Sequence, residues 1–433
     1  MTSSTEFLYQ QYLNHRIICT DTRQIIKGCL FFSLKGENFD ANTFADQAIS
    51  KGAAFVVIDN PIYKTTDQHI LVDDVLTALQ DLARHHRSQL SIPVIGLTGS
   101  NGKTTTKELV NAVLAQQYRT FATRGNLNNH IGVPLSILSI TDETELAIIE
   151  MGANHQQEIE FLCGIARPTH GLITNVGMAH LDGFGGFEGV KKGKGELYSY
   201  LKQNNGCVFV YRDNPYLLEM SKYANLNNII YYGASTENYI SGSLEKTDPV
   251  IEINWQNKAE KYHAVANLTG TYNFENILAA ICIGSFFEVD PEKINEGLRG
   301  YFPNNNRSQL TKTRTNTVIC DFYNANPSSM SAALNNIAHL TAKKKAVIIG
   351  DMFELGAEAS KQHEAIAKQA LLLNVNTLVF IGKHFYEFKV DNGLFFNTPS
   401  EAAAYLQQYP IEDSLILLKG SRGMALEQLL PLL

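Results

Sequence analysis

The 433-residue sequence has no strong excess of either charge, no long apolar run and no paired cysteines, and each absence excludes a class of protein. Lys and Arg number 36 against 43 Asp and Glu, a net charge of −7, which argues against a general binder of nucleic acid or of membrane surfaces. No apolar run approaches the roughly 18 residues of a membrane span. The six cysteines are scattered without a C-x-x-C pattern, which favours reduced thiols over disulfides or a zinc site. The opening residues MTSSTEFLYQQYLNH contain no apolar signal core, so we expect a cytoplasmic protein.

The length and the apolar content indicate a folded chain of several domains. Apolar residues make up 44% of the sequence, an ordinary globular value, and roughly 150 residues form a typical domain. Strand-like and helix-like patterns alternate along the chain, which predicts the α/β class. We expect three consecutive domains joined by short hinges: an N-terminal α/β domain over residues 1–90, a central parallel-sheet domain with an antiparallel insertion over 91–308, and a C-terminal Rossmann-like domain over 309–433.

Short apolar runs predict individual elements within each domain. In the first domain they predict strands at 29–34 and 54–58 and a helix near 75–83, followed by a linker at 91–93. In the central domain they predict strands at 94–98, 146–149 and 172–174, an antiparallel hairpin within 229–268 and a helix at 273–287. In the last domain they predict strands at 318–321, 345–350, 377–381 and 415–418, and helices at 328–340, 360–373 and 424–431.

The strongest chemical signal is a glycine-rich loop between a predicted strand and a predicted helix, at residues 96–106 (GLTGSNGKTTT). Such glycines permit a tight turn whose N–H groups face phosphate oxygens, at the positive end of the following helix. Lys103 would reach the β- and γ-phosphates, and the Thr104 hydroxyl would bind Mg²⁺. The loop departs from the strict Walker pattern because Leu97 stands where glycine is expected. We predict an ATP site formed by Gly99, Ser100, Asn101, Gly102, Lys103, Thr104 and Thr105.

Three downstream features could complete this site. Glu150 ends the predicted strand LAIIE, where a carboxylate beside a phosphate loop can bind Mg²⁺. His180 follows the run TNVGMA, and the lysine-rich run KKGKGE covers residues 191–196. Taken alone, the histidine is more often a core or solvated residue, and the lysine run is more often an exposed helix surface.

Together, the phosphate loop, Glu150, the T-N-x-G-x-x-H run and Lys194 resemble the Mur ligases, ATP-dependent amide ligases of bacterial cell-wall synthesis that are related to folylpolyglutamate synthases. The resemblance spans nearly the whole chain. The run DFYNANP at 321–327 resembles the motif of the family member that joins D-alanyl-D-alanine to UDP-N-acetylmuramoyl-tripeptide. Further similar runs are DTR at 21–23, LKGENFD at 34–40, GNLNNHIGVP at 125–134, GDMFELG at 350–356 and KGSR at 419–422.

The resemblance implies a peptide ligase of peptidoglycan synthesis. ATP would convert the terminal carboxylate of the tripeptide into an acyl phosphate, which the amine of D-Ala-D-Ala would attack to give the pentapeptide, ADP and phosphate. Lys103, Lys194, His180 and Glu150 would be the catalytic residues. Thr104 and Glu150 would hold one of two Mg²⁺ ions and His180 the second. Lys194 would carry a CO₂-derived carbamate that also binds metal, with Lys192 as the rival position.

The resemblance also implies residues for binding ATP and the two substrates. Asn273, Asn276, Arg307 and Asp321 would complete the ATP site. UDP-N-acetylmuramoyl-tripeptide and D-Ala-D-Ala would be bound by Thr22, Arg23, Lys35, Asn38, Phe39, Asp40, Asn126, Asn128, Asn129, Tyr323, Asn324 and Asn326. We expect no nucleic-acid or membrane partner, a monomer, and closure of the domains around the substrates. Three positions, Thr271, Tyr272 and Cys320, differ from the residues that are usual in the family. These differences concern the contacts to the adenine of ATP.

Several alternatives remain open from the sequence. A sibling ligase that adds a single amino acid, or a folylpolyglutamate synthase, would share the phosphate loop but not the YNANP run. A P-loop NTPase acting as a switch or motor would need no lysine carbamate. A nucleotide-binding scaffold without catalysis would be favoured only if Lys103 or Glu150 were missing, and both are present. The third residue of the tripeptide, lysine or diaminopimelate, is not specified by the sequence.

Overall fold

The computed structural model describes residues 4–258 and 260–433. Its N-terminal segment is an α/β layer built on a parallel sheet of order β1-β2-β5-β6, with β3 and β4 paired as a small antiparallel ribbon. The last helix of the segment is capped by Asp74, whose side chain accepts the Thr77 N–H at 2.7 Å. The elements are α1 Ser4–Asn14, β1 Ile18–Cys19, β2 Leu30–Phe32, β3 Lys35–Gly36, β4 Phe39–Asp40, α2 Ala45–Ser50, β5 Phe55–Ile58, β6 His69–Leu71 and α3 Val75–Gln89.

The central segment is a large mixed sheet of order β15-β14-β13-β12-β11-β10-β7-β9-β8. Pairings from β8 to β13 are parallel, and β13, β14 and β15 pair antiparallel. The predicted antiparallel insertion is therefore confirmed, as an extension of one edge of the parallel sheet. The elements are β7 Val94–Thr98, α4 Lys103–Leu114, β8 Thr120–Ala122, α5 Gly132–Ile137, β9 Leu146–Glu150, α6 Glu158–Ala166, β10 His170–Ile173, α7 Leu181–Phe184, α8 Phe187–Gln203, β11 Cys207–Tyr211, α9 Pro215–Tyr223, β12 Asn228–Gly233, β13 Ile240–Lys246, β14 Ile251–Gln256, β15 Lys261–Ala266, α10 Phe274–Phe286 and α11 Pro291–Gly300.

The C-terminal segment is a second α/β unit with sheet order β16-β17-β21-β18-β19-β20, parallel except for β16. The helix expected at 424–431 was wrong in type, since this stretch forms 3₁₀ turns at Arg422–Met424 and Leu426–Leu432. Ala425 takes a left-handed φ of 50° between them and Pro431 lies in the second, which prevents a continuous α-helix. The elements are β16 Gln309–Lys312, β17 Thr317–Asp321, α12 Pro327–His339, β18 Lys345–Gly350, α13 Ala359–Leu371, β19 Thr377–Ile381, α14 Lys383–Tyr386, β20 Leu394–Phe396, α15 Pro399–Gln408 and β21 Leu415–Lys419.

The N-terminal and central segments share one hydrophobic cluster, which includes Leu79 and Leu82 of α3 and Val133 and Ile137 of α5. At the C-terminal end of α3, Arg87 donates to the carbonyl oxygens of residues 166 and 167 at 2.9 and 3.0 Å. The joint between these two segments at α3, just before the predicted linker at 91–93, is therefore packed, because the apolar face of α3 is buried against helices of the next segment. Among the described residues, no helix is long and apolar enough to cross a bilayer.

Candidate active site

A cavity of about 960 Å³ lies where the carboxyl ends of the central strands face the C-terminal segment. Ser100 after β7, Glu150 at the end of β9 and Asn175 after β10 line its central wall, while Asp321 and Lys419 line the opposite wall. Parallel strands bring their carboxyl ends to one edge of the sheet, where open α/β sheets hold their ligands. The loops after these strands therefore form one site although they lie far apart in sequence.

The phosphate loop has the backbone geometry that its glycines predict. Gly99 and Gly102 have φ angles of 146° and 76°, and a Cβ at Gly102 would lie 2.7 Å from Asn276 Oδ1. Lys103 starts α4, and its ammonium donates to the carbonyl oxygens of Gly99 and Ser100 at 2.7 and 3.2 Å. Burial lowers the pKa of Lys103, while the negative charge of Glu150 opposes that shift and the positive charge of Arg307 adds to it. The loop thus presents a desolvated cation and a helix N-terminus to the cavity.

Glu150 has the properties of a magnesium ligand. The residue is 1% exposed, and its Oε1 accepts from Asn128 Nδ2 at 2.8 Å and from the Thr104 hydroxyl at 3.4 Å. Its Oε2 is buried without a hydrogen-bond partner among the described residues, an arrangement that costs free energy unless a cation occupies the site. No cluster of three or more His, Cys, Asp or Glu side chains that could hold a metal occurs in the described ranges. This oxygen set therefore fits Mg²⁺, which prefers few carboxylates together with phosphate oxygens and water.

The structure separates the two candidate lysines on α8. Lys192 is exposed, whereas Lys194 is 2% exposed and donates from Nζ to the Ala153 carbonyl at 3.1 Å, just beyond Glu150. The Lys194 Nζ also lies 5.0 Å from the centre of the Phe184 ring. Burial and then the nearby charge of Lys103 lower the pKa of Lys194 well below its ordinary value. An amine with a lowered pKa is available in its neutral, nucleophilic form.

His180 contacts a carboxylate that the sequence interpretation did not assign. Its Nδ1 lies 2.6 Å from Glu354 Oε2, and both residues have left-handed φ angles, 52° and 65°. The hydrogen bond from His180 lowers the pKa of Glu354. Glu354 lies in the GDMFELG run that carries the family resemblance, so its motif was visible in the sequence, but its partner across the cavity was not.

The residues predicted to complete the ATP site fall into two groups. Asn273 and Asn276 are buried. Asn276 Nδ2 donates to Asn273 Oδ1 at 2.9 Å, and Asn276 Oδ1 accepts from the Thr106 hydroxyl at 2.9 Å. This pair therefore holds the first turn of α4 in place through the hydrogen bond from Thr106. Asp321 accepts from Lys419 Nζ at 2.7 Å and from the Ser308 N–H at 3.2 Å. These two contacts hold Asp321 on the wall opposite the phosphate loop.

An aromatic stack lies beside Asp321. The Arg307 guanidinium lies 4.0 Å from the centre of the Tyr323 ring, and Arg422 lies 5.1 Å from that centre and donates to the Tyr323 hydroxyl at 3.2 Å. The Tyr323 ring therefore lies within cation–π distance of two guanidinium groups, and of these three residues Tyr323 and Arg307 line the cavity.

Sequence reasoning also missed Glu275 and gave Asn175 no role. Asn175 Nδ2 donates to Glu275 Oε1 at 3.2 Å, and Asn175 Oδ1 accepts the Asn101 N–H at 2.9 Å. Burial raises the pKa of Glu275 to about 7. Asn175 is the Asn of the T-N-x-G-x-x-H run, which could have identified it, whereas Glu275 has no motif of its own.

Of the predicted substrate residues, those of the central and C-terminal segments lie at the cavity. Asn126, Asn128 and Asn129 line it from the loop before α5, and Tyr323, Asn324 and Asn326 line it from the loop before α12. Asn129 Oδ1 accepts the backbone N–H groups of residues 131 and 132 at 3.1 and 2.9 Å. The carboxamide oxygen of Asn129 is therefore already engaged in the loop.

The predicted substrate residues of the N-terminal segment do not line this cavity. Arg23 pairs with Asp21 at 2.6 Å, and its hydrogen bond lowers the pKa of Asp21 to about 2. Lys35 pairs with Asp59 at 2.7 Å. The others are Thr22 in a 3₁₀ turn, Asn38 between β3 and β4, Phe39 stacked at 5.6 Å on Phe44, and Asp40, which caps the following turn. Their substrate roles stay predictions.

Family models match three consecutive parts of the chain. The model described as "Mur ligase family, catalytic domain" matches residues 15–87, "Mur ligase middle domain" matches 97–284, and "Mur ligase, glutamate ligase domain" matches 306–422.

Named relatives and solved structures agree with these matches. The UDP-N-acetylmuramoyl-tripeptide–D-alanyl-D-alanine ligase of Bacillus subtilis is 36% identical, covering 97% of this chain and 93% of the relative. The enzyme of the same name from Escherichia coli is 34% identical, covering 95% and 92%. A crystal structure of MurF from Acinetobacter baumannii superposes with a TM-score of 0.86 at 30% identity, covering 95% and 92%. The MurF ligase of Thermotoga maritima, solved with ADP, shares the fold with a TM-score of 0.84 at 24% identity, covering 100% and 98%.

Proposed function

The chain belongs to the Mur ligase family, and from that premise we propose that it joins D-alanyl-D-alanine to UDP-N-acetylmuramoyl-tripeptide at the expense of ATP. It is an ATP-dependent ligase of peptidoglycan synthesis, and the relatives that it matches over more than nine-tenths of their length are named UDP-N-acetylmuramoyl-tripeptide–D-alanyl-D-alanine ligase. The observation that carries the proposal is the cavity between the phosphate loop and the DFYNANP segment. The residues that would activate a carboxylate and those that would present an amine face each other across it.

The first step is activation of the tripeptide's terminal carboxylate. A carboxylate oxygen attacks the γ-phosphorus, the bond to ADP breaks, and an acyl phosphate results. We assign the phosphate oxygens to the Lys103 ammonium and to the backbone N–H groups at the start of α4, since Lys103, Thr104 and Thr105 line the cavity. To do so, Lys103 exchanges its contacts to the carbonyls of Gly99 and Ser100 for contacts to phosphate.

The second step is formation of the amide bond. The free amine of D-Ala-D-Ala attacks the acyl carbon, phosphate leaves, and the nitrogen loses a proton. Asn324 is our candidate for orienting the dipeptide, because its Oδ1 is turned back to the Ala325 N–H at 2.9 Å. Its NH₂ group is then the part of the side chain available to a substrate carboxylate.

Mg²⁺ bound at Thr104 and Glu150 would neutralise the charge of the converging phosphate and carboxylate oxygens. We further propose that Lys194 carries a carbamate, which requires a neutral amine attacking CO₂ with loss of one proton. The buried position of Lys194 and its lowered pKa support this assignment over the exposed Lys192. A role for His180 at a second ion requires it to leave Glu354, with which it pairs at 2.6 Å.

Two further properties extend the proposal. A ligase that consumes ATP and a UDP-linked precursor needs a compartment that contains both nucleotides, so we propose that it acts in the cytoplasm. We also propose that it acts as a monomer, because the cavity is completed by residues of one chain.

The proposal is tested by phosphate release from ATP and Mg²⁺ in the presence of UDP-N-acetylmuramoyl-tripeptide, with and without D-Ala-D-Ala. We expect release that requires both, with a product heavier by the dipeptide. Release with the tripeptide and another amine would retain the ligase chemistry and reject the acceptor. Release with neither substrate would favour a simple NTPase and reject the proposal.

A further inference from the structure

Three side chains from two segments form a closed ring of hydrogen bonds at the edge of the cavity. Asn101 Nδ2 donates to Ser328 Oγ at 2.9 Å, Ser328 Oγ donates to Asn326 Oδ1 at 2.8 Å, and Asn326 Nδ2 donates to Asn101 Oδ1 at 2.8 Å. Each member of this ring, called the Asn-Asn-Ser ring below, donates once and accepts at least once. Asn101 belongs to the phosphate loop, whereas Asn326 and Ser328 lie at the start of α12.

The C-terminal half of the ring is held in place by the cap of α12. Asn326 is the N-cap residue, and its Oδ1 also accepts the Ser329 N–H at 2.9 Å. Ser329 Oγ accepts the Asn326 N–H at 3.1 Å, which completes a capping box. The Asn326 carboxamide therefore has its oxygen used twice and its nitrogen used across the cavity, so its orientation is determined by protein contacts.

The central half of the ring is equally constrained. The Asn101 N–H donates to Asn175 Oδ1 at 2.9 Å, and the Asn101 carbonyl accepts from the Thr174 hydroxyl at 2.6 Å. Gly177 leaves the space that the ring occupies, since a Cβ there would lie 2.9 Å from Ser328 Oγ and 3.2 Å from Asn101 Nδ2. This contact gives a physical reason for glycine in the T-N-x-G-x-x-H run.

We propose that Asn101, Asn326 and Ser328 are positioning residues that set the DFYNANP segment (321–327), which would bind the amine substrate, in register with the phosphate loop. The inference rests on the proposed function. Asn324, our candidate for orienting D-Ala-D-Ala, lies two residues before Asn326, so the ring fixes its distance from the loop where the acyl phosphate forms. The ring acts through the relative placement of two substrates, and its loss therefore impairs the amine step more than nucleotide binding.

The test is a set of variants of the full chain, with Ser328→Ala as the principal one. This change removes one donor and one acceptor of the ring and leaves alanine, a good helix former, in α12. Ser331→Ala, one turn further along the same helix and outside the cavity lining, is the matched control. For each variant, kcat and KM for D-Ala-D-Ala are measured by phosphate release, and the Kd for ADP with Mg²⁺ is measured by calorimetry.

We expect Ser328→Ala to lower kcat/KM for D-Ala-D-Ala about 10-fold, as for loss of one to two hydrogen bonds. The Kd for ADP should stay within about twofold of the native value, since the hydrogen bonds that Ser328 makes in the ring are to protein side chains and not to the nucleotide. Asn101→Ala combined with Ser328→Ala should be no worse than the more impaired of the two single variants, because either change opens the ring. Gly177→Ala should reproduce the defect by contact with Ser328 and should add little to Ser328→Ala.

Two results would overturn the inference. Additive losses in the double variant would mean that the contacts act independently. An equal loss in ADP affinity and in kcat/KM would mean that the ring only supports the nucleotide site.

A second readout separates this inference from the proposed function. The radius of gyration of each variant with ADP and Mg²⁺ is measured by small-angle scattering. If the native chain needs no D-Ala-D-Ala for phosphate release, the proposed function fails. The ring is then supported by expansion of Ser328→Ala relative to Ser331→Ala, and overturned by equal radii.

Discussion

Replacing Lys194 with alanine tests the carbamate directly. We expect the variant to fold and to lose at least about 100-fold in turnover, since it lacks both a candidate metal ligand and its charge. A short carboxylate such as formate or acetate should restore part of the activity. Such an ion carries the same two oxygens as a carbamate and can enter the space that the side chain vacates.

The cost to stability follows from the burial of Lys194, which is 2% exposed. The change removes three methylene groups, worth about 0.8 kcal/mol each, or about 2.4 kcal/mol together. Removing the buried amine offsets part of this loss, because burying a polar or charged group costs free energy, as the lowered pKa of Lys194 shows. Domains are typically stable by about 5–15 kcal/mol, so the variant should remain folded and its lost activity should report on chemistry.

The assay is D-Ala-D-Ala-dependent phosphate release, with and without added carboxylate, beside circular dichroism to check folding. Lys192→Ala is the matched control, because Lys192 is exposed two positions away on α8. Wild-type turnover of Lys194→Ala would refute the reasoning. So would equal losses in the two variants, or a dead Lys194→Ala that no carboxylate rescues.

Three further predictions concern single side chains. Lys103→Ala should abolish turnover while circular dichroism stays unchanged, because its contacts are to the phosphate loop itself; near-normal turnover would remove it from the mechanism. Glu150→Gln should raise the Mg²⁺ concentration needed for half-maximal phosphate release about 10- to 100-fold, whereas Glu145→Gln, at an exposed ion pair before β9, should not; equal requirements would contradict the metal assignment. Burial lowers the pKa of His170 to about 4, so the neutral side chain contributes stability that is complete above pH 6.5 and is lost, by up to about 3 kcal/mol, as the pH falls towards 4. The melting temperature of His170→Gln should therefore fall less between pH 6.5 and 4 than that of the native chain. Parallel curves of melting temperature against pH for the two proteins would mean that His170 does not cause the loss of stability.

The buried parallel strands were the most predictable part of the fold. Val94–Thr98, Lys345–Gly350 and Thr377–Ile381 have the bounds that the sequence indicates. Strands covered on both faces are continuous apolar runs, and the turns that end them show as glycine or polar residues. The packed joint at α3 was not predictable in this way, because an amphipathic helix shows that one face is buried but not which neighbour covers it.

The parts of the candidate site that could be predicted are those whose functional residues directly follow a recognisable strand in the sequence. The phosphate loop and Glu150 follow apolar strands, and parallel strands end at one edge of the sheet. Glu354 could not be assigned a role, because its partner His180 is 174 positions away and approaches only through tertiary packing. Asn326 was predicted as a substrate contact, whereas its side chain in the structure caps α12 and reaches Asn101. An asparagine motif does not reveal which contact its carboxamide will make.

Two of the contacts that join the C-terminal segment to the central one lie on the wall of the cavity itself. The Asn-Asn-Ser ring meets the phosphate loop, and His180 pairs with Glu354. Away from the cavity, Asn336 donates to the Thr269 hydroxyl at 3.2 Å. Contacts at three separate places restrict both translation and rotation of one segment against the other. The two loops at the cavity also carry candidate nucleotide and substrate residues, so a displacement that opens the cavity also separates the reacting groups. Activation of a carboxylate is therefore coupled to exclusion of water, which protects an acyl phosphate until the amine is in place.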